Sequence, residues 1–551
     1  MVVPPSPRLP APSPSRRTRR VKKPSAPEAA LSPALRRYFY ATAAVTGAAI
    51  MVVEILGAKM LSPYVGTSHF VWTAQIAVTL IALTLGYYAG GRFVDRSPRP
   101  GGLYWAILLA ALYLAITVAV CEPVAYACLN IKPFALGSLL ASLVLFFVPL
   151  ALLAMAGPFF VRLLTSSVAN VGGNVGRLTA VSTLGSFLGT ILIGYVLIPF
   201  LPNSWTMYLT ALLLAAVAVS YFAVWGQRKE SSVPVMLVLI GTILAGYGGV
   251  RHDRLSRGRW AEKFHGNSNF GMLQVIEAGG TRYYMNDFLV QNTYDPTNRA
   301  STSLFTYMLN GLATAYTTNL HDVLCIGLGV GITPMEFARS GARVDVVEIN
   351  PAVVPLAQQW FDLQPESLHI TIGDGRQFLN DGPAAKYDAV ALDAFLGESS
   401  PSHLMTREAF TAMRRVLKPG GTLVINSFGN FNPGHDFFTT SLYKTLTNVF
   451  SSVRIHTATG GNTFFVATDR AELSFVHAPD TSRVHSSQSS AAASAYAGII
   501  EPGRDYRGLS LHLEHGRVLT DDFNPVDFHD AGNREAIRRN LALSMRAPDA
   551  E

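Results

Sequence analysis

Three glycines and one glutamate in the middle of the chain have the types and spacing of a nucleoside-binding site. Gly327, Gly329 and Gly331 directly follow an apolar run, and Glu348 ends the next such run, 21 residues after Gly327. Glycines let the backbone turn tightly and approach a ligand. An acid at the end of the second strand can accept hydrogen bonds from both ribose hydroxyls. The combination predicts a site for an adenosine-type ligand; the alternative is a glycine-rich turn beside a surface glutamate.

Two acidic residues follow the next two apolar runs. Asp374 and Gly375 come after the third run, and Asp393 comes after the fourth. Because the carboxyl ends of parallel strands form one ligand-binding edge, we expect these residues to face the same cleft. Asp374 can accept a hydrogen bond from an adenine amino group, and Asp393 would point beyond the ribose, where chemistry should occur. Their alternative roles are a helix N-cap for Asp374 and a turn residue for Asp393.

The segments that must position these residues alternate between strand and helix patterns. Strand-like runs lie at 322–326, 343–347, 368–372, 387–392 and 422–425. This alternation predicts an α/β Rossmann-like domain with a parallel, doubly wound sheet, of the class I methyltransferase type. Short alternating runs at 269–291, punctuated by Gly279 and Gly280, predict a small antiparallel β unit before it.

The first half of the chain has the composition of a membrane protein. Only 15% of the residues are charged, against about a quarter in soluble domains, and the long apolar runs concentrate in residues 38–250. A spanning helix needs about 20 mostly apolar residues. Such segments lie at 38–61, 70–91, 102–121, 134–161, 178–201 and 205–225, with a shorter one at 233–250. We predict a multi-pass helical domain with six or seven spans in the cell membrane, in contact with the lipid bilayer.

Composition also sets the other boundaries. Residues 1–37 form a basic tail, expected to be disordered, which explains much of the net charge of +8. We interpret it as an anchor beside the first span and expect no nucleic-acid partner. Residues 251–480 form the soluble domain, 481–503 a Ser/Ala-rich linker, and 504–551 a segment that packs on that domain. The three cysteines show no metal-binding spacing.

The charges of the loops give an ambiguous orientation. Lysines and arginines in alternate loops place the N-terminus in the cytoplasm. If 233–250 then spans, the soluble half lies outside, although Arg251 and Arg254 follow at once, as is typical of the inside. Because a domain that uses an adenosyl cofactor needs the cytosolic pool, we expect a cytoplasmic soluble half. Segment 233–250 would be re-entrant or interfacial, or would span against the charge rule.

Glu54 is an ionisable residue inside the first predicted span. Buried charges in a bilayer are costly and are functional candidates by default. Glu54 is therefore a candidate for transport or ligand binding. Its alternative role is a hydrogen bond to a neighbouring helix.

At this point the sequence resembles a known family. Residues from about 264 to 470 are similar to spermidine synthase-type aminopropyltransferases. The membrane half resembles the transporter-like part of bacterial proteins with such a domain fused behind it. The synthase similarity lies in the glycine loop and in residues 347–350 (VEIN), 373–375 (GDG) and 387–393 (YDAVALD); the fused-group similarity lies in 70–72, 85–92, 393–408 and 519–525.

The resemblance implies a reaction and a set of roles. An aminopropyl group would pass from decarboxylated S-adenosylmethionine to a small-molecule amine, as in polyamine biosynthesis, and no metal would be needed. Asp393 would be the general base for the acceptor's ammonium group. Glu348 would hold the ribose, Asp374 with Gly375 the adenine, and Gln291 would contact donor or acceptor. A homodimer is compatible with this reading.

The chain departs from the family pattern at four positions. Val330 stands where the glycine loop usually has an acid for the donor's amine, and Leu396 where a second aspartate binds the diamine. Phe305 replaces an aromatic hydroxyl, and Gly271 replaces a glutamine that contacts methylthioadenosine. A desolvated ammonium without a carboxylate is expensive, so putrescine-to-spermidine activity is in doubt. Three side chains are candidate substitutes: Glu398, His403 and Asp295.

Two other functions remain open at this stage. One is an S-adenosylmethionine-dependent methyltransferase, because the nucleoside-binding core is shared; Val330 and Leu396 favour it, whereas Asp393 and the β unit do not. The other is a transporter or sensor whose soluble half binds a nucleoside or polyamine without turnover, and Glu54 is its main support.

Overall fold

The computed structural model describes residues 31–66, 69–131, 134–165, 171–226, 232–255, 261–395, 401–458 and 461–545. Most of the basic tail, together with Leu396 and Glu398, therefore lies outside the described residues. The end of the expected tail is helical, because Ser32 caps the first helix by accepting a hydrogen bond from the Leu35 N–H, and Pro33 occupies its first turn.

The first half is a bundle of apolar helices. They are α1 (Pro33–Val65), α2 (His69–Arg96), α3 (Pro100–Leu129), α4 (Phe134–Ala154), α5 (Ala156–Leu164), α6 (Val171–Leu192), α7 (Ile198–Phe200), α8 (Asn203–Trp225) and α9 (Ser232–Leu255). A π-helical turn joins α6 to α7, and α5 continues the direction of α4 in one apolar stretch. By length and composition, seven helical stretches of the described chain could cross a membrane.

Close backbone contact holds α1 against α6. A Cβ atom on Gly185 would lie 2.1 Å from the Ala44 carbonyl oxygen, and one on Gly189 would lie 2.7 Å from Ala48. Gly185 and Gly189 form a GxxxG step, and small residues at this spacing let two helices approach closely in an apolar environment. Large apolar side chains on the outer faces of α2, α6 and α9 stay exposed, which is typical of helices in lipid.

Helix α9 contains the segment at 233–250, and its length and composition favour the spanning alternative over a re-entrant or interfacial one. It runs alongside α3 in the same direction, because Gly241 lies beside Leu112 and Gly249 beside Ala119. The Tyr208 hydroxyl of α8 donates to the Ile243 carbonyl. The segment therefore packs as the other helices do, and glycines in place of larger side chains make that packing close.

The soluble half meets the bundle at the C-terminal end of α1. Arg538 is fully buried there and donates hydrogen bonds to the carbonyls of Ser62 and Asp287, the latter at 2.9 Å. The Asn267 amide likewise donates to the Leu201 carbonyl, next to α7. The N-terminus of α1 and the soluble domain thus lie at opposite ends of the bundle. Two of our expectations, a cytoplasmic N-terminus and a cytoplasmic soluble half, cannot both hold with seven spans.

The soluble half contains two sheets. The first is antiparallel, with β1 (Ala261–Ser268), β2 (Gly271–Ala278), β3 (Thr281–Asn286), β4 (Leu289–Asp295) and β5 (Ala300–Ser301) in that order. The second contains β6 (Asp322–Ile326), β7 (Arg343–Glu348), β8 (His369–Ile372), β9 (Tyr387–Leu392), β10 (Leu417–Phe428), β11 (Ser452–Thr457), β12 (Asn462–Thr468) and β13 (Ile499–Ile500). Its order is β13-β11-β12-β10-β9-β6-β7-β8.

The larger sheet is parallel only from β10 to β8. The five strands expected from the sequence pair in parallel. Two strands that were not expected extend this edge: β12 pairs antiparallel with β10, and β11 pairs antiparallel with β12. Side chains of the buried strands alternate between two hydrophobic cores, one on each face of the sheet. The helices on these faces are α10 (Leu304–Tyr316), α11 (Ile332–Arg339), α12 (Val353–Trp360), α13 (Gly375–Asp381), α14 (Arg407–Val416), α15 (Phe437–Thr447), α16 (Ser489–Ala497), α17 (Val526–His529) and α18 (Ala531–Met545).

The Ser/Ala-rich stretch at 481–503 is folded into the domain rather than forming a linker. It contains α16 and the edge strand β13, and Ala492 and Ala495 are fully buried. The Tyr496 hydroxyl lies where a side chain on Gly311 would be, so small residues on both helices allow this contact. Composition alone suggested flexibility because small residues are common both in flexible linkers and in tight helix contacts.

Candidate functional site

A cavity of about 820 Å³ opens at the carboxyl edge of the parallel strands. It collects residues from the loops after β6, β7, β8, β9 and β10, from β4, and from α18. The sequence-predicted residues that line it are Gly327, Gly329, Glu348, Asp374, Gly375, Asp393 and Gln291. Gly331 does not line the cavity. It has a left-handed backbone conformation and directly precedes α11.

The glycine loop is shaped by close contacts that exclude side chains. Gly327 has φ +97°, and a Cβ atom there would lie 2.4 Å from the Asp393 carbonyl oxygen. Its N–H donates to the Val347 carbonyl at 2.8 Å, which joins the loop to β7. The loop therefore connects the expected nucleoside site directly to the backbone of Asp393.

Glu348 ends β7 with its carboxylate turned back into the glycine loop. One oxygen accepts the Leu328 N–H at 3.0 Å and the other the Asn350 N–H at 2.7 Å. Burial raises the pKa of Glu348, and these backbone hydrogen bonds lower it only in part. The side chain is thus fixed at the position from which a carboxylate can accept ribose hydroxyls.

Asp374 caps α13, as its structural alternative predicted. One oxygen accepts the N–H groups of Arg376 and Gln377 at 2.9 and 3.0 Å, and the other lies 3.0 Å from His403 Nε2. Burial raises the pKa of Asp374, but the backbone N–H groups and His403 together hold it below its usual value. His403 therefore belongs to the cavity as a partner of Asp374, and a ligand at Asp374 would have to share the carboxylate with it.

Asp393 is a fully buried acid whose pKa is strongly raised. Burial raises its pKa to about 6, against the lowering effect of a 2.8 Å hydrogen bond that Asn426 Nδ2 donates to Oδ1. Asn426 in turn accepts from Asn462 Nδ2 at 2.8 Å. A chain of two amides on β10 and β12 thus orients the carboxylate. A group with such a pKa, fixed by neighbours in a cleft, has the properties of a general base.

Asn426 was not among the site residues expected from the sequence, although the sequence contains a signal for it. Asn426 follows the run 422–425 immediately, as Asp393 follows the run 387–392. In the sheet, Ile425 pairs with Leu392, so the two polar residues leave adjacent strands at the same level. The rule that placed Asp393 at the sheet edge also applies to Asn426.

The positions that depart from the family pattern differ in their surroundings. Val330 is buried in the core rather than lining the cavity, while Phe305 lines it. Gly271 has φ +114°, and a Cβ atom there would lie 2.4 Å from Asn286 Oδ1, so this backbone requires glycine. Asp295 forms a turn with the N–H groups of Thr297 and Asn298 and is not a lining residue.

The far end of the cavity is closed by the C-terminal segment, which we expected to pack on this domain but not to line the cavity. Asp530 is buried and accepts from Asn533 at 2.8 Å and from Arg534 at 3.3 Å; its burial raises its pKa. Asn430, after β10, donates to Asn533 at 2.9 Å. Residues near the end of the chain therefore complete the wall opposite the nucleoside end.

Glu54 does not line this cavity and is half-buried in the middle of α1. It makes no hydrogen bond or ion pair with the residues that the structure describes. Glu398 lies outside the described residues. Neither candidate role is decided by the structure, and both stay predictions.

Comparison with known proteins shows which family the chain resembles. The spermine/spermidine synthase domain profile matches residues 303–466. The polyamine aminopropyltransferase of Vibrio vulnificus is 31% identical over 215 residues, which cover 37% of this chain and 68% of that protein. The N-terminal histidine N-methyltransferase of Emericella nidulans is 34% identical over 139 residues, covering 24% of each chain. Putrescine N-methyltransferase 1 of Nicotiana tabacum is 30% identical over 126 residues, covering 22% of this chain and 34% of that protein.

The profile match falls on the domain that contains the cavity. The chain spans two thirds of the Vibrio protein but only a quarter to a third of the two methyltransferases. Its cavity-forming domain follows seven long apolar helices. The chain is a transferase of the polyamine aminopropyltransferase family, with a spermidine synthase domain in its C-terminal half.

Proposed function

We propose that this chain is a membrane-bound enzyme that transfers an aminopropyl group from decarboxylated S-adenosylmethionine to an amine. The observation that supports this most is the position of Asp393, in one cavity with the glycine loop and Glu348 and with a pKa of about 6. Such a base is mostly ionised at neutral pH and can take a proton from the acceptor.

The proposed reaction is a single displacement. Asp393 removes a proton from the acceptor's ammonium group, and the free amine attacks the aminopropyl carbon next to the sulfonium. A nitrogen–carbon bond forms, the carbon–sulfur bond breaks, and its electron pair leaves with sulfur as neutral 5′-methylthioadenosine. Glu348 holds the donor's ribose, Asp374 and Gly375 lie at its adenine, and Gln291 contacts donor or acceptor. Much of the acceleration would come from positioning the two substrates.

The charges of the cavity limit the acceptor. Among its described lining residues the carboxylates are Glu348, Asp374, Asp393 and Asp530. The first two belong to the nucleoside end, and Asp530 is paired with Arg534. Among the described residues Asp393 is then the one carboxylate for an acceptor cation, and a second ammonium would face the described amides and a guanidinium at high cost. We propose an acceptor with a single amine and a neutral or anionic remainder, rather than putrescine.

A methyltransferase is the second candidate. Two relatives are named as N-methyltransferases, one of them acting on putrescine. Val330 is buried and apolar, so the glycine loop has no acid for the amine of a decarboxylated donor. The same base and nucleoside end would then serve methyl transfer from S-adenosylmethionine.

Two rules conflict over the side of the membrane. Basic loops favour a cytoplasmic N-terminus, whereas an adenosyl donor comes from the cytosol. We give precedence to the donor, because the reaction cannot run without it, and propose a cytoplasmic soluble domain with the N-terminus on the other side. A C-terminal fluorescent reporter that matures only in the cytoplasm should therefore be bright. A dark fusion, with an active extracytoplasmic reporter at the same position, would contradict both the orientation and the donor.

One assay distinguishes the candidate reactions. The full chain in detergent is incubated with either donor and a panel of monoamines, amino acids and diamines, and the nucleoside products are separated by mass. Methylthioadenosine with an aminopropylated monoamine supports the proposal. S-adenosylhomocysteine with a methylated amine supports the second candidate. Saturable donor binding without either product would support the sensor or transporter reading instead.

A further inference from the structure

A cluster of one aspartate and two histidines lies outside the lining of the cavity. Asp436 precedes α15 and is 2% exposed. In the C-terminal segment, His512 precedes a 3₁₀ turn and His515 is the last residue of that turn. One ligand atom from each residue lies within 4.8 Å of the others. Two segments distant in sequence thus bring an oxygen and two nitrogen donors to one point.

The donor atoms converge on a single carboxylate. Nδ1 of His512 and Nδ1 of His515 each lie 2.9 Å from Asp436 Oδ2, and His515 Nδ1 is also 3.0 Å from Oδ1. Asp436 stands at the N-cap position of α15, yet its side chain does not cap the helix. Tetrahedral zinc with bonds of about 2.0–2.1 Å places its ligand atoms roughly 3.3 Å apart. The two Nδ1–Oδ2 distances would therefore have to lengthen by a few tenths of an ångström to admit an ion.

The surroundings can fix the tautomer that a metal needs. Ser510 Oγ lies 3.2 Å from His512 Nε2. It can accept an Nε2–H, which leaves the Nδ1 lone pair for an ion, and such outer partners are usual for metal-bound histidine. Without an ion, both imidazoles donate Nδ1–H to Asp436 and the serine donates to Nε2. The same side-chain atoms can therefore serve the metal-bound and the metal-free state.

The turn that presents the two imidazoles is held tightly against α15. A Cβ atom on Gly516 would lie 2.7 Å from the Ser441 nitrogen, so only glycine allows this approach. Lys444 Nζ donates to the Gly516 carbonyl at 3.0 Å, and the Arg517 N–H donates to Ser441 Oγ at 3.0 Å. The site is thus preorganised by contacts that do not involve its ligands.

We propose that Asp436, His512 and His515 bind a divalent transition-metal ion, with Zn²⁺ the ion that best suits two imidazoles and one carboxylate. The partly exposed histidines leave a fourth position for water. The ion would fasten the C-terminal segment to α15, close to where His529 stacks on Phe437 at 4.0 Å. This segment continues into α18, the wall of the cavity, so the role is structural and does not depend on the reaction proposed above.

Metal titration of the full chain in detergent, after chelator treatment, tests this site. Wild type should bind one equivalent of Zn²⁺, and Co²⁺ should give the visible bands of a tetrahedral site. His512→Asn and His515→Asn keep an N–H donor for Asp436 but remove a ligand, and each should weaken binding at least about 100-fold. Zn²⁺ should raise the melting temperature of wild type but not of these variants.

The matched control is His369→Asn, which removes an exposed histidine beside a different carboxylate, Asp345, and should leave binding unchanged. Absence of saturable Zn²⁺ binding, or binding that survives both ligand variants, would overturn the proposal. If the variants do not fold, the wild-type Co²⁺ spectrum still decides, because absence of tetrahedral bands excludes the site. Catalytic activity is not needed for any of these measurements, so failure of the proposed reaction would not affect them.

Discussion

Replacing Asn426 by alanine should change the pH at which the enzyme works more than its maximal rate. Asn426 donates to Asp393 at 2.8 Å and is the neighbour that lowers the pKa of this carboxyl against burial. A hydrogen bond to a charged group contributes about 1.5–3 kcal/mol, and one pKa unit corresponds to about 1.4 kcal/mol. Loss of the bond should therefore raise the pKa of Asp393 from about 6 by roughly one to two units.

The sign of the effect on rate follows from the role of the base. Asp393 must be ionised to accept a proton, so kcat/KM falls as the pH drops through its pKa. With a pKa raised by about 1.5 units, the ionised fraction at pH 7 would fall from about nine tenths to about a quarter. The variant should lose about three quarters of its activity at pH 7 and recover most of it near pH 9.

The assay is a pH profile of kcat/KM for methylthioadenosine release, expressed as the ratio of variant to wild type so that ionisation of the acceptor cancels. Asn462→Ala is the matched control, because Asn462 bonds Asn426 and not the carboxylate, and its profile should shift less. An acid limb that stays at the wild-type pH in Asn426→Ala would refute the assignment of Asp393 as the titrating base.

Three further predictions concern the donor, the loop and the domain interface. Glu348→Gln keeps the shape of the side chain but removes its charge. It should raise the KM for the donor about tenfold or more, with a smaller change in kcat. An unchanged KM would exclude Glu348 from the ribose site. Gly327→Ala should destabilise the soluble domain by about 2–4 kcal/mol through positive φ and contact with the Asp393 carbonyl. Gly341→Ala, with φ +91° and open space around it, should cost only the strain of about 1–2 kcal/mol. Equal melting temperatures of these two variants would argue against the contact. Arg538→Ala should lower thermal stability and expose α18 to proteolysis, whereas Arg539→Ala, which loses one 3.4 Å bond to Asn130, should not.

Local patterns predicted the nucleoside end of the site because its geometry is local. Glycines after one strand and an acid at the end of the next occupy fixed places in any parallel sheet, so Gly327 and Glu348 could be placed from spacing alone. The alternating strand and helix patterns likewise fixed the fold class of the soluble half. The seven apolar stretches were visible as well, apart from the full length of α9.

Contacts between distant segments could not be predicted in this way. The bond from Asn426 to Asp393 depends on which strands are neighbours, and the wall formed by Asp530 and Asn533 depends on the chain folding back. Ala492 and Ala495 were assigned to a linker because small residues are common in linkers. They pack tightly only where a partner such as Gly311 is present, and local patterns do not show which segment that partner belongs to. The contact of Arg538 with the end of α1 likewise joins distant segments, and only this contact shows that the two orientation rules conflict.

The most direct test of the central claim is release of 5′-methylthioadenosine from decarboxylated S-adenosylmethionine by the full chain, compared with Asp393→Asn. The account predicts acceptor-dependent release by wild type and a loss of at least about 100-fold in the variant at every pH, with donor affinity retained. The Asn side chain keeps the size of the residue and its contact with Asn426, so folding should be preserved. Acceptor-dependent release at the wild-type rate by Asp393→Asn, or none by wild type with any amine, would contradict it.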